Sequence, residues 1–353
     1  VRQSGLLHIL ILTTLSVFLP TVVWAEADGR FKGERFWETA KGFNLGKPRA
    51  RGELSDVDYA DLGRAGVQLI RIILPVARCA GCPYFDLAPR SLAYADRTVN
   101  AASKYGYRVV IALEPQPSGN KADYWFNEEL LQSIGEQWAA LAARYRNRSA
   151  IAAFDLINEP VIPGRSVGEQ NEIWSRVAVR LIDRLRTEDP DRVVIFEPAP
   201  WGLPKGFTAL VPIPREKVIY SFHLYEPHKL THQGIRHYPK GVRYPGNVPG
   251  EGAWDKSRLS ALVAPVRDFS KRNKVPIFVG EFSCIRWAEP KSRRTYIGDA
   301  IDIFKGAEWS WTYHSFREYT GWDSEVEGDN QDVRTRRADA TVWRLLVDSI
   351  GTK

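Results

Sequence analysis

Apolar and polar positions along the chain follow two alternating rhythms. Short runs rich in Val, Ile, Leu and Phe are nearly continuous, as in strands covered on both faces. Longer stretches repeat apolar residues every three or four positions, as in helices with one buried face. The first kind predicts strands at Gly42–Gly46, Val67–Leu74, Arg108–Leu113, Ile151–Ile157, Val193–Phe196, Val218–His223, Ile277–Gly280 and Trp309–Tyr313. The second predicts helices at Leu92–Lys104, Glu129–Tyr145, Glu169–Arg186, Leu259–Lys271 and Lys291–Phe304. Leu130, Ile134, Trp138, Leu141 and Tyr145 illustrate the helical stripe, while Gly106 and Asp189-Pro190 mark stops before the next strand.

Eight such strands with crossovers between them is the count of a closed (β/α)8 barrel, an α/β fold. A doubly wound open sheet is the second choice, weakened because no Gly-rich phosphate loop follows the first strand. No low-complexity linker divides the chain, so residues 26–353 are expected to form one catalytic domain.

The beginning of the chain belongs to a different category. Arg2 precedes an apolar run from Leu6 to Val23, and Val23-Trp24-Ala25 supplies small residues for a cleavage site. Residues 1–25 are expected to be a signal peptide, with an uncleaved anchor as the alternative, and the mature protein to be secreted or periplasmic without stable membrane insertion. A chain with 44% hydrophobic and 26% charged residues is ordinary globular material, which excludes disorder. The net charge of +7 is scattered among acids, with no basic arm of the kind that binds nucleic acid. Cys79 and Cys82 read as a small disulfide or as two free thiols, and Cys284 as a buried thiol. The 12 Trp suit either a core or flat aromatic faces offered to a ligand.

In barrels of this type, chemistry sits where strands end and βα loops begin. Strand four ends Phe154-Asp155-Leu156-Ile157-Asn158-Glu159-Pro160, and strand seven ends Phe278-Val279-Gly280-Glu281-Phe282. Glu159 and Glu281 therefore face one mouth from opposite sides. A single glutamate at a strand end is usually solvated or structural. A facing pair is what glycoside hydrolysis requires: one carboxyl protonates the leaving oxygen while the other attacks or activates water.

With these motifs the sequence resembles the cellulase-type family 5 of glycoside hydrolases, whose acid/base and nucleophile end strands four and seven. The resemblance covers essentially the whole mature chain. It implies Glu159 as acid/base and Glu281 as nucleophile of a retaining mechanism. It also matches Arg71 to the arginine after strand two, Asn158 to the asparagine before the acid/base, and His223 and Tyr225 to the His-x-Tyr of strand six. The sugar-stacking Trp of strand eight corresponds to Trp311, with Trp309 as second choice. One position departs from the pattern: strand three ends in Glu114 where a histidine is usual. Glu114 is open to two readings, binding a sugar hydroxyl or pairing with an arginine.

Trp201, after strand five, is a candidate aromatic platform, and Glu226, His228, His232 and Gln233 lie on the loop after strand six. The Gly/Pro-rich stretch from His232 to Glu251 is expected to wall a groove. The spacing of His228 and His232 lacks a third ligand, so neither a metal nor a cofactor is expected. The expected substrate is a β-linked polysaccharide or oligosaccharide, foremost a β-glucan. Mannan, β-1,3-glucan and exopolysaccharide are alternatives within the same chemistry. A carbohydrate-binding pseudoenzyme is the alternative outside it.

Overall fold

The computed structural model describes residues 34–48, 53–78, 84–116, 123–328 and 335–351. The expected signal peptide and the Cys79/Cys82 pair lie outside these residues. Eight parallel strands close on themselves: β1 (Lys41–Gly46), β2 (Leu69–Arg78), β3 (Arg108–Gln116), β4 (Ile151–Asp155), β5 (Val194–Phe196), β6 (Val218–Leu224), β7 (Ile277–Phe282) and β8 (Ser310–His314). Each pairs with the next, and β1 pairs with both β2 and β8, so the sheet has no free edge within the barrel. The open-sheet alternative is thereby excluded.

Successive side chains of a strand point to opposite faces, and here the two faces have different jobs. Phe43 and Leu45 of β1, Ile70, Ile72 and Leu74 of β2, Val109, Ile111 and Leu113 of β3 and Phe154 of β4 join the buried apolar layer beneath the helices. Tyr220 and Phe222 of β6, with Trp311 and Tyr313 of β8, do the same. The intervening residues Asn44, Arg71, Asp155, Ser221, His223 and Thr312 are polar and buried. Their hydrogen bonds and close approaches link one strand to another, as when the Thr312 hydroxyl of β8 donates to the Gly280 carbonyl of β7 at 2.6 Å. Both faces being covered, the apolar runs conceal which residues point inward.

The helices form for local reasons. Ser166 and Glu169 make a reciprocal capping box at the start of helix Val167–Arg186, and Gly106, at φ 81, ends helix Pro89–Tyr105 in a left-handed cap. The single helix expected at Leu259–Lys271 is instead two, Lys256–Leu262 and Ala264–Asn273. Pro265 explains the break: it has no N–H to continue the first helix, and it fits the opening turn of the second. The crossover after β5 contains only a 3₁₀ turn, Pro204–Ala209. Helix Thr341–Ile350 places Trp343 in a stack on Phe43, with ring centroids 5.4 Å apart. Among the described residues no helix is long and apolar enough to cross a membrane.

Helix Val167–Arg186 also supports the mouth of the barrel. Trp174, fully buried, stacks on Phe196 with centroids 5.2 Å apart, and its indole N–H donates to the Glu197 carbonyl at 2.7 Å. Trp174→Ala is expected to lower unfolding free energy by about 3–5 kcal/mol through a large cavity. The orphaned carbonyl adds to that cost. Urea unfolding measures it, and a loss below about 1 kcal/mol would contradict this packing.

Candidate active site

Glu159 and Glu281 meet at the mouth as the strand ends require. A carboxylate oxygen of each, with a ring nitrogen of His223, lie within 4.8 Å of one another. The two carboxyls are held very differently. Glu281 is buried and occupied on both oxygens. On Oε1 it accepts from Arg71 Nη1 at 2.8 Å and Asn44 Nδ2 at 3.3 Å, and on Oε2 from the Tyr225 hydroxyl at 2.8 Å. Burial alone would raise its pKa, but the positive charges of His314, His223 and Arg71 and the Tyr225 hydroxyl outweigh burial and hold it down to about 2. Tyr225 is pushed the other way by burial and the Glu281 charge, so it remains a neutral donor.

Glu159 is partly open, with 32% of its side chain exposed. Its Oε1 lies 3.0 Å from His223 Nδ1, and its backbone N–H donates to Glu197 Oε2 at 2.8 Å. Its φ of 49 is in the left-handed region that L-residues seldom occupy. Next to it Asn158 accepts from Arg71 Nη2 at 2.8 Å, which turns its amide nitrogen away from the arginine and leaves it as a donor.

Arg71 joins these groups. Fully buried, it also donates through Nε to Asp155 Oδ2 at 2.9 Å and through Nη2 to Glu197 Oε1 at 2.8 Å. His223 Nε2 lies 3.2 Å from the same Glu197 oxygen, an ion contact rather than an aligned hydrogen bond. Burial would deprotonate His223, yet the charges of Glu197 and Glu281 and the contact with Glu159 raise its pKa well above the ordinary value. Burial and the adjacent Glu197 charge raise Asp155, whereas His223 and Arg71 overcome burial to keep Glu197 ionised. Arg71 and His223 therefore supply positive charge to Glu197 and Glu281, while burial beside Glu197 raises Asp155.

Not every expected residue is in the site. Trp311 is 1% exposed and packs edge-on against Phe282, centroids 5.4 Å apart, in the outward layer. Trp309 is buried against Phe222. The expectation of a stacking tryptophan on β8 is thus corrected: Trp311 has the wrong strand parity, and the inward residue at the strand end is His314. His314 Nδ1 is buried without a hydrogen-bond partner, 3.7 Å from Glu281 Oε2, and Nε2 lies 3.5 Å from Glu318. Glu114 borders Asn158 and Glu159 in a small recess and pairs with Lys47 at 2.5 Å, not with an arginine. Trp201, 38% exposed, donates its backbone N–H to the Pro160 carbonyl at 2.8 Å, beside the Glu159 loop.

On the loop after β6, His232 packs against Tyr225 and Trp322 at 5.3 and 4.9 Å, and burial and His228 push its pKa down to about 3. Gln233 is buried in bonds to Leu230, Gly241 and Val242, so it pins the loop and does not face the mouth. Glu226 turns back toward the Tyr225 N–H at 3.3 Å. The stretch to Glu251 carries a short hairpin, Gly246–Val248 with Gly252–Trp254. Cys284 is a buried free thiol, its pKa pushed up to about 12 by burial.

Sequence reasoning missed Asn44, Asp155, Glu197 and His314. Glu197 carried the same signal as the other two glutamates, since Phe196-Glu197-Pro198 also ends a strand. Among the described residues, Glu159, His223 and Glu281 are close enough to share a metal ion. A dication there would compete with the Arg71 guanidinium already 2.8 Å from Glu281, and the arrangement serves proton transfer and nucleophilic attack better.

The family profile described as Cellulase (glycosyl hydrolase family 5) matches residues 40–320. The chain belongs to glycosyl hydrolase family 5. It is an O-glycosyl hydrolase. Endoglucanase C of Acetivibrio thermocellus is a relative, 24% identical over 281 residues, covering 70% of this chain and 80% of that protein. Among solved folds, Thermotoga maritima Cel5A in complex with cellobiose aligns with a TM-score of 0.72 at 23% identity, covering 90% of this chain and 99% of that one. Cel5A in complex with mannotriose aligns with a TM-score of 0.71, also at 23% identity, over 90% and 99%. This family 5 chain thus has the fold of Cel5A.

The state of Glu281 has a measurable consequence for stability. Its folded pKa lies below the ordinary carboxylate value of about 4.3, so its contribution is present above about pH 4.3 and is lost as pH falls toward about 2. Across that window, the unfolding free energy of the native protein is expected to fall more steeply than that of Glu281→Gln. Urea titrations at several pH values compare the slopes; equal slopes would contradict the assignment.

Proposed function

We propose that the protein cleaves β-linked glucan by double displacement with retention, Glu281 acting as nucleophile and Glu159 as acid/base. The observation that carries this reading is the approach of the two carboxylates to within 4.8 Å. That is near the spacing of about 5–5.5 Å used by retaining pairs, and it leaves no room for the water that inverting pairs hold across about 6.5–9.5 Å.

The environment of each group supports its role. Glu281 is held ionised and oriented by Arg71, Asn44 and Tyr225, ready to attack the anomeric carbon. As the Glu281–carbon bond forms, the bond to the glycosidic oxygen breaks, its electron pair stays on that oxygen, and Glu159 supplies the proton. In the second half Glu159 takes a proton from water, the water oxygen bonds to the same carbon, and the Glu281 ester breaks. Asn158, its oxygen committed to Arg71, offers its amide N–H to the sugar 2-hydroxyl. Trp201 offers an exposed ring on the Glu159 side, where the leaving sugar would stand.

Relatives named endoglucanase favour a β-1,4-glucan, while the mannotriose complex of Cel5A keeps mannan as the second reading. Secretion or periplasmic export is proposed with it, as suits an enzyme of polymer breakdown. Carboxymethyl-cellulose, β-mannan and β-1,3-glucan should be assayed side by side, with the first-formed anomer read by proton NMR. The expected result is fastest release from the β-1,4-glucan, with the β-anomer first. Glu281→Ala should lose on the order of 10⁴-fold or more of kcat. Initial release of the α-anomer, full activity in Glu281→Ala, or binding without product in the native enzyme would each overturn the proposal.

A further inference from the structure

Glu197 is a fully buried carboxylate for which the double-displacement scheme has no task. Burying an ionised carboxylate is costly unless it is paired, and its partners here are specific. One oxygen accepts from Arg71 Nη2 at 2.8 Å and lies 3.2 Å from His223 Nε2. The other accepts the backbone N–H of Glu159 at 2.8 Å. Gly202, at φ 62, allows this approach: a Cβ there would stand 3.0 Å from Glu197 Oε2.

From these contacts we infer that Glu197 is the positioning residue of the acid/base, acting on Glu159 through its main chain and through His223. The first link is the N–H bond, which fixes a residue in an unfavourable left-handed conformation and so fixes the root of its side chain. The second is the imidazole. Held as an imidazolium by the charges of Glu197 at Nε2 and of Glu281, His223 carries a proton on both ring nitrogens and donates from Nδ1 toward Glu159 Oε1 at 3.0 Å. A carboxyl oxygen that accepts such a bond is the carbonyl oxygen, so the acidic proton resides on Oε2. Glu197 thus determines which oxygen of Glu159 carries the proton to be delivered. The inference rests on Glu159 being the acid.

Leaving-group dependence separates this role from general support of the fold. Phenyl β-cellobioside needs protonation of its leaving oxygen, whereas 2,4-dinitrophenyl β-cellobioside departs without it. The quantity to compare is kcat/KM, which reports the glycosylation step, taken for both substrates on one preparation so that the ratio is independent of the folded fraction. Glu197→Gln should lose about 10²-fold on the phenyl substrate, the lower end of what general acid catalysis contributes, and less than about 5-fold on the dinitrophenyl one. Glu197→Asp, which retains the charge but shortens the reach, should show the same selective loss if the first variant fails to fold. Glu159→Gln is the control. Equal losses on both substrates in Glu197→Gln, with selective loss in Glu159→Gln, overturn the role of Glu197 alone. Equal losses in Glu159→Gln overturn the acid assignment and this inference with it.

Discussion

The Arg71 guanidinium has no solvent exposure, and a cation so placed must be matched by charge and hydrogen bonds. Its five N–H donors form a planar fork that reaches Asp155 of β4, Asn158 and Glu197 just beyond β4 and β5, and Glu281 of β7. Four strands are thereby held to one centre. The dependence is mutual, because removing one partner of a buried pair costs about 3–5 kcal/mol by stranding the other. His223 extends the same network to Glu159 and gives it its second cation. The charge at the mouth is therefore a collective property, and no carboxylate there can be considered without the arginine.

Strand order and closure were legible because near-continuous apolar runs occur only where a strand is covered on both faces. The same continuity hid parity. In Trp309-Ser310-Trp311-Thr312-Tyr313-His314 the large aromatics alternate with small polar residues, and the resemblance to the family's strand-eight tryptophan made Trp311 look like a ligand platform. The aromatics face the helices, where Phe282 receives Trp311, and the small residues face the crowded barrel interior. Reading that alternation as outward bulk would have pointed to His314. Pro265 was similarly visible, but the apolar spacing continues across it and suggested one helix where the missing N–H makes two.

The catalytic pair was legible because strand ends point into a shared mouth, and that rule does not rank its candidates. Glu159, Glu197 and Glu281 all end strands, yet Glu197 has no exposure and serves the other two. Only distances distinguish them. Asn44 and Asp155 carried no signal in sequence, since a polar residue within a strand is remarkable only once its side chain is known to face inward. Glu114 took the second of its two readings in altered form, an ion pair between β3 and Lys47 just beyond β1.

The two glutamates also differ in a way that a double displacement requires. On the proposed roles, Glu281 must remain ionised until it bonds to carbon, and it is buried with donors on both oxygens. Glu159 must release a proton and recover one in each cycle, so it cannot be sealed in this manner. It keeps 32% of its side chain open and is fixed instead from behind, by its own N–H on Glu197 and by His223 on one oxygen. Holding the backbone and one oxygen leaves the other oxygen free to exchange protons with substrate and water. A barrel mouth can provide both conditions within a few ångströms because strand ends on its opposite sides differ in depth: Glu281 lies within β7, while Glu159 stands beyond the end of β4.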